Sequence, residues 1–189
     1  MTLKYLFDRI FSLLGLIFLS PVMLVVAILI RIKMGNQVMF KQERVGKDGK
    51  LFTIFKFRTM KEDVEGSSIS MAGDERILPA GVKLRKYRLD ELPQLWNVLK
   101  GDMAFIGPRP EREFYIKQIM ERDPRYVYLY QIRPGVTSYA TLYNGYTDTI
   151  EKMLRRLELD LYYLEHRSWL FDFKILFKTF VNIVFGKKF

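Results

Sequence analysis

Two adjacent carboxylates, Asp90 and Glu91, are the residues of this chain whose type and surroundings most suggest chemistry. Downstream, Arg109 lies between two prolines that restrict its backbone, and a rigidly placed guanidinium suits bidentate recognition of a phosphate. Basic residues also stand just before the acidic pair, at Lys83, Arg85, Lys86 and Arg88. Carboxylates surrounded by cations are typical of sites that transfer phosphoryl groups, so this segment predicts phosphate chemistry.

A carboxylate in such a site can attack a phosphoryl group and form a covalent aspartyl-phosphate. Because both groups are anionic, a divalent cation and nearby arginines must neutralise their charge. Neighbouring positions on a helix point about 100° apart, so one of Asp90 and Glu91 can attack or hold metal while the other positions it or moves a proton. The structural alternative is helix capping, with Asp90 as the N-cap of the helix that follows.

Other candidates for the site are Lys56, Arg58 and Arg133. Lys56 and Arg58 alternate with phenylalanines, so they share one face of a strand, which is either part of a site or solvated. Arg133 precedes Pro134-Gly135 and either clamps a phosphate or belongs to a plain turn. We assign structural roles to Asp160 and Asp172, and no role to the single histidine, His166.

Composition limits the classes of partner. The formal net charge is +10 and aromatic residues make up 15% of the chain, which suits a membrane interface or nucleic acid. The chain has no cysteine, which excludes disulfides and thiolate catalysis, and a single histidine argues against a histidine-rich metal site.

An uncharged apolar run from Ile10 to Ile30 is about the minimum length that spans a bilayer. Pro21 lies at its centre, and Ser20 can satisfy a backbone carbonyl that the proline leaves free. Basic residues flank the run on both sides, at Lys4, Arg9, Arg31 and Lys33, as expected if both ends stay on one side of the membrane. We favour a re-entrant helix–break–helix at Ser20-Pro21, with a kinked spanning helix as the alternative.

The remaining pattern predicts an α+β fold that is mostly helical. Residues 38–44 and 51–60 form a hairpin around Asp48-Gly49, and Leu92, Leu95, Trp96 and Leu99 give an apolar stripe on a helix that ends at Gly101. Further helices cover residues 111–122, a stripe from Leu154 to Leu164, and a basic, aromatic interfacial segment from residue 169 to 185. We therefore divide the chain into a membrane-embedded helix at residues 1–33 and a small catalytic domain at residues 34–189 that ends in interfacial amphipathic helices.

Several motifs in order make the chain similar to a known family. They are Ser20-Pro21, KFRTM at 56–60, LDELPQLWNVLKGDM at 89–103, GPRP at 107–110, RPG at 133–135 and LELDLYYLEHRSWLFD at 157–172. On these motifs the chain resembles the bacterial sugar transferases, which are monotopic phosphoglycosyl transferases.

The resemblance implies transfer of a phospho-sugar from a nucleoside diphosphate sugar, usually UDP-linked, to a polyprenyl phosphate such as undecaprenyl phosphate. It implies that UMP is released and that capsule, O-antigen or exopolysaccharide synthesis begins. Asp90 would be the nucleophile and Mg²⁺ ligand with Glu91 as its partner, and Arg109, Lys56, Arg85 and Arg133 would bind phosphate. The catalytic domain would face the cytoplasm from the bacterial inner membrane, in a small form without the longer members' N-terminal extension. We expect no nucleic-acid partner, and a homodimer is compatible with the sequence.

One motif departs from the family. Many members read Arg-Pro-Gly-x-Thr-Gly-Trp where this chain reads RPGVTSY at 133–139. This difference predicts that the loop recognises a different sugar from the one bound by those members. Two other functions remain open: a non-catalytic membrane-surface module that binds anionic lipids or nucleic acid, and a hydrolase of nucleotide sugars.

Overall fold

The computed structural model describes residues 2–61, 74–145 and 147–185. It confirms the predicted α+β class, in which helices outweigh two short two-stranded sheets. The helices are α1 (Thr2–Met34), α2 (Pro79–Lys86), α3 (Gln94–Lys100), α4 (Glu113–Met120), α5 (Tyr139–Asn144), α6 (Ile150–His166) and α7 (Trp169–Val184). The strands are β1 (Met39–Val45), β2 (Leu51–Phe57), β3 (Ala104–Ile106) and β4 (Gly135–Thr137).

The apolar segment forms one continuous helix, α1, that runs through Pro21. Proline removes a hydrogen bond to the carbonyl four residues earlier, which here is that of Ile17. The Ser20 hydroxyl donates to this carbonyl at 2.8 Å and so replaces the lost donor. Helical structure thus continues on both sides of Ser20-Pro21, and a change of helix direction at this step, which a re-entrant path requires, stays a prediction.

α1 is long and apolar enough to cross a membrane, and its most apolar 18-residue window reaches a mean hydropathy of 2.9. One face nevertheless packs on the rest of the molecule at both ends. Near the N-terminus Arg9 donates to the carbonyl of Lys100 at 3.0 Å, and the hydroxyl of Ser12 donates to that of Leu95. Near the C-terminus Ile30 is fully buried in a cluster that includes Phe57. Both ends of α1 thus contact the same globular body.

The predicted hairpin is confirmed, with β1 and β2 antiparallel and Val45 opposite Leu51. The sequence analysis did not predict the parallel pair of β3 and β4, which places Ala104 opposite Gly135. Gly135 donates to the carbonyl of Pro108 at 2.9 Å, and a Cβ on Gly135 would lie 2.2 Å from the nitrogen of Gly107. Only glycine permits this approach, which joins the GPRP turn to the RPG turn.

Helix α3 packs differently from its predicted stripe. Trp96 is half exposed, while Asn97 is fully buried and bonds to β2, donating to the carbonyl of Thr53 at 2.7 Å and accepting from the N–H of Phe55 at 3.1 Å. The apolar stripe was therefore wrong at Trp96, because the buried face of α3 meets the polar backbone of a strand. Gly101 ends the helix at a φ of 93°, as predicted.

Candidate active site

The carboxylate pair lies in a single 3-10 turn, Leu89–Glu91, between α2 and α3. Asp90 does not cap α3, which begins only at Gln94, so the capping interpretation was wrong. Arg88 precedes the turn with a φ of 52°, a left-handed conformation that is costly for a residue with a Cβ. Such strain often marks functional positions, and here it places the Arg88 side chain beside the pair.

Glu91 is held between two cations. Its Oε1 lies 2.8 Å from Nζ of Lys56, and its Oε2 lies 3.2 Å from Nε of Arg88. Burial opposes the charged form of Glu91, but Arg88, Lys56 and Arg109 together outweigh it and hold the pKa of this carboxyl well below its usual range. Glu91 is therefore a fixed, paired anion.

Asp90 is also buried, but its carboxylate has no bonding partner. Its exposed fraction is 7%, and no hydrogen bond or ion pair reaches its carboxylate from the residues that the structure describes. Burial and the charge of Glu91 raise the pKa of Asp90 to about 6, against the opposing effects of Lys56, Arg85 and Arg88. An unpaired buried carboxylate is costly for a fold and is the form that a nucleophile or metal ligand needs.

The cation at Lys56 comes from β2, far from the pair in sequence. The two hydrogen bonds of Asn97 fix β2 against α3 on either side of Ile54, two residues before Lys56. Burial lowers the pKa of Lys56, and the charge of Glu91 counteracts that effect. The sequence analysis found Lys56 but missed Asn97, whose only signal was an amide on an otherwise apolar helix face.

The other predicted phosphate ligands divide into two places. Arg85 reaches the pair electrostatically and is oriented by the hydroxyl of Thr59, at 2.9 Å. The positive charge of Arg109 lowers the pKa of both Lys56 and Glu91. Arg133 instead stacks on the ring of Tyr5, 4.2 Å from its centroid, and is not among the dominant charges around Asp90. The structure therefore gathers Lys56, Arg85 and Arg109 around the pair and directs Arg133 toward α1.

Of the four upstream cations, the predicted site included only Arg85, and the structure adds Arg88. Its spacing of three residues from Glu91 was the available signal, because side chains three apart meet on one face of a helical turn.

A second acidic cluster lies behind the GPRP turn. Glu111 pairs with Arg44, at 3.2 Å, and with Arg156 of α6. Asp160 is buried next to them, and burial raises its pKa to about 7 against Arg156 and the main-chain N–H groups of Arg109 and Ala140. These contacts tie the segment that carries Arg109 to β1 and α6.

The residues around Asp90 suit a Mg²⁺ site that substrate phosphates and water complete. Among the described residues, no three carboxylate or imidazole groups gather closely enough to form a metal cage. Mg²⁺ is commonly held by one or two carboxylates, with substrate phosphates and water completing its shell. Asp90 fits that role because its carboxylate is unpaired, whereas Glu91 is already engaged by Lys56 and Arg88.

Comparisons with known proteins identify the family of this chain. The family model described as bacterial sugar transferase matches residues 1–186. The chain is 41% identical over 169 residues to the UDP-N-acetylgalactosamine-undecaprenyl-phosphate N-acetylgalactosaminephosphotransferase of Aeromonas hydrophila, which covers 88% of this chain and 40% of that protein.

Two further relatives differ in length. The chain is 38% identical over 183 residues to the UDP-glucose:undecaprenyl-phosphate glucose-1-phosphate transferase of Escherichia coli K12, covering 93% of this chain and 39% of that protein. It is also 38% identical to an exopolysaccharide production protein of Rhizobium leguminosarum bv. phaseoli, covering 96% and 95% of the two chains. The chain thus spans about two fifths of the first two relatives and nearly all of the third. With its motifs and its fold in place over nearly the whole length, the chain belongs to the bacterial sugar transferase family.

Proposed function

We propose that this protein transfers a sugar 1-phosphate from a UDP-sugar to undecaprenyl phosphate or a similar polyprenyl phosphate, as a first membrane step in capsule, O-antigen or exopolysaccharide synthesis. The observation that carries the proposal is the open Asp90 carboxylate beside the paired Glu91, with Lys56, Arg85, Arg88 and Arg109 acting on the two. The names of the relatives support the donor and acceptor classes.

In the first step, an oxygen of Asp90 attacks the phosphorus that carries the sugar. The bond from this phosphorus to the bridging oxygen breaks, UMP leaves, and an aspartyl-phosphosugar remains. In the second step, a phosphate oxygen of the lipid attacks the same phosphorus and releases Asp90 as a carboxylate. Arg85 and Arg109 balance the negative charge that the phosphates bring. Glu91 keeps Lys56 and Arg88 in place beside Asp90.

Mg²⁺ is part of the proposal, with Asp90 as its protein ligand. When bound, it would neutralise phosphate oxygens and favour the leaving of UMP. The residues of the chain account for the rest: Asp90 supplies the attacking oxygen, and the arginines orient the donor.

We further propose that α1 is re-entrant and that the catalytic domain lies on the cytoplasmic face of the inner membrane. A spanning helix would separate its ends by a hydrocarbon core of about 30 Å. Here Arg9 and Ser12 near one end and Ile30 near the other contact the same domain. A spanning path would therefore draw that domain into the bilayer or break one set of contacts.

The activity is tested by measuring UMP release from a panel of UDP-sugars, with undecaprenyl phosphate and Mg²⁺, in detergent or nanodiscs. We expect lipid-dependent release by the wild type and none by Asp90→Asn. Folded protein that releases no UMP with any sugar contradicts the proposal.

The covalent step needs a separate test. The wild type is incubated without lipid with a donor labelled at the phosphorus next to the sugar, then precipitated. We expect label on the protein that undecaprenyl phosphate removes, and none on Asp90→Asn. Release of free sugar phosphate without lipid would instead identify a hydrolase.

A further inference from the structure

A small basic cavity lies between the first turn of α1, the RPG turn and the turn that joins α6 to α7. It is lined by Lys4, Tyr5, Ile106, Ile132, Arg133, Tyr163 and Arg167. Lys4 is neutralised by Asp172, at 3.2 Å, and Asp172 also accepts from the hydroxyl of Tyr163 at 2.7 Å. Lys4 also lies 3.7 Å from Asp8, so both acidic groups of this region already face a cation.

The two arginines of the cavity have no such partner. Nη1 of Arg167 is buried and makes no hydrogen bond within the described chain, and neither guanidinium forms an ion pair there. Arg133 is held by Tyr5, whose ring lies 4.2 Å below the guanidinium and whose hydroxyl accepts from the Arg133 N–H at 3.4 Å. Arg133 and Arg167 are both half-buried and keep part of their surface accessible, so two oriented guanidiniums without an ionic partner are available to an anion.

The surroundings indicate where that anion comes from. Leu3, Leu6 and Phe7 on α1 are exposed, as are Trp169 and Leu170 at the start of α7. Phe7 packs edge-on against Trp169 at 5.9 Å, so the two helices form one apolar surface beside the cavity. Exposed aromatic and aliphatic side chains next to cations are typical of the headgroup depth of a bilayer.

We propose that Arg133 and Arg167 bind the phosphate group of a membrane lipid, at a site separate from Asp90. The lipid tail lies along the apolar surface of α1 and α7, and its phosphate lies at the mouth of the cavity against the accessible parts of the two guanidiniums. The bilayer offers two sources of this chemistry, a phospholipid headgroup and a polyprenyl phosphate. The proposal does not depend on the transferase activity.

The test uses the full chain in detergent with Trp96→Phe, which leaves Trp169 as its single tryptophan. Its fluorescence is followed while dihexanoyl phosphatidylglycerol, farnesyl phosphate, farnesol or inorganic phosphate is added, and bound lipid is counted by native mass spectrometry. We expect saturable binding of at least one lipid phosphate, weakened at least tenfold in Arg167→Gln. Arg155→Gln, an exposed position on α6, makes the same change of charge and should bind as the wild type does.

Each result has a definite meaning. Binding of phosphatidylglycerol identifies a phospholipid source, and binding of farnesyl phosphate alone identifies a polyprenyl source. Farnesyl phosphate also suits the proposed active site, so binding here must survive Arg109→Gln. Equal binding by wild type and Arg167→Gln, equal binding of farnesol, equally tight binding of inorganic phosphate, or no bound lipid in either readout overturns the proposal. Arg133→Gln provides a second variant should Arg167→Gln fail to fold.

Discussion

Two buried acidic clusters in this molecule use the same residue types and reach opposite results. In the first cluster Arg44 and Arg156 both pair with Glu111, and the neighbouring Asp160, whose pKa burial raises, accepts from the main-chain N–H groups of Arg109 and Ala140. Arg44 also donates to the carbonyl of Pro110, and Arg156 donates to the hydroxyl of Thr147. At the other cluster, Lys56 and Arg88 occupy Glu91 and leave the neighbouring Asp90 unpaired.

The two clusters differ in whether each buried carboxylate has a partner that compensates its desolvation. Desolvating a charge is costly unless a partner compensates it, so a buried carboxylate with two guanidiniums is what a structural tie requires. Leaving Asp90 without a partner gives no stability, and burial with the Glu91 charge disfavours its ionised form. The cluster with the unpaired Asp90 is therefore the one suited to chemistry, and four experiments test that division.

The largest expected effect is that of Asp90→Asn on activity. The amide keeps the size of the side chain but cannot attack phosphorus, so UMP release should fall by at least about a thousandfold. Thermal stability in detergent should stay the same or rise, because the variant removes a disfavoured buried charge. Asp48→Asn, on the exposed hairpin turn, is the matched control and should retain full activity. Residual activity within tenfold of wild type would contradict the assignment of Asp90 as the nucleophile.

The next largest effect is that of Glu111→Gln on stability. The amide leaves Arg44 and Arg156 buried without a counter-charge, which should lower the free energy of unfolding by about 3–5 kcal/mol. Denaturant titration in detergent measures it, with Glu113→Gln on the exposed start of α4 as the control. A loss as small as that of the control would mean that the cluster is not a structural tie.

The pH dependence of turnover gives a smaller effect. The pKa of Asp90 is raised to about 6 in the metal-free protein, and the reaction needs the ionised form, so kcat/KM for the donor at limiting Mg²⁺ should rise about tenfold per pH unit below 6 and level off above it. Lys56→Gln removes a cation that lowers this pKa and should move the rise to higher pH, while Lys41→Gln on β1 should not. A flat profile from pH 5 to 8 would show that Asp90 does not limit the rate.

The smallest effect concerns the backbone at Arg88. Arg88→Gly and Arg88→Ala lose the guanidinium equally, but only alanine keeps the cost of a left-handed φ of 52°. Glycine should therefore be more stable than alanine by about 1 kcal/mol in the free energy of unfolding, and both should lose activity alike. Equal stability would remove the evidence for strain beside Glu91.

Sequence reasoning reached much of the fold because local patterns encode it. The Asp48-Gly49 turn with its alternating flanks predicted the hairpin, and Gly101 correctly marked the end of α3. It also identified Ser20 as the residue that satisfies the carbonyl freed by Pro21, and the Ser20 hydroxyl donates to that carbonyl of Ile17. It missed β3 and β4 because three-residue strands carry too short a pattern to recognise.

The sequence by itself determined that a pair of carboxylates is surrounded by cations, that an apolar helix precedes them, and that the motifs are those of bacterial sugar transferases. Tertiary structure alone decided which carboxylate is open, because Lys56 reaches Glu91 only after Asn97 fixes β2 against α3. It also decided that Arg133 stacks on Tyr5 rather than joining the pair. Periodicity and turn chemistry act over a few residues, whereas the pairing and desolvation of charges depend on which distant segments pack together.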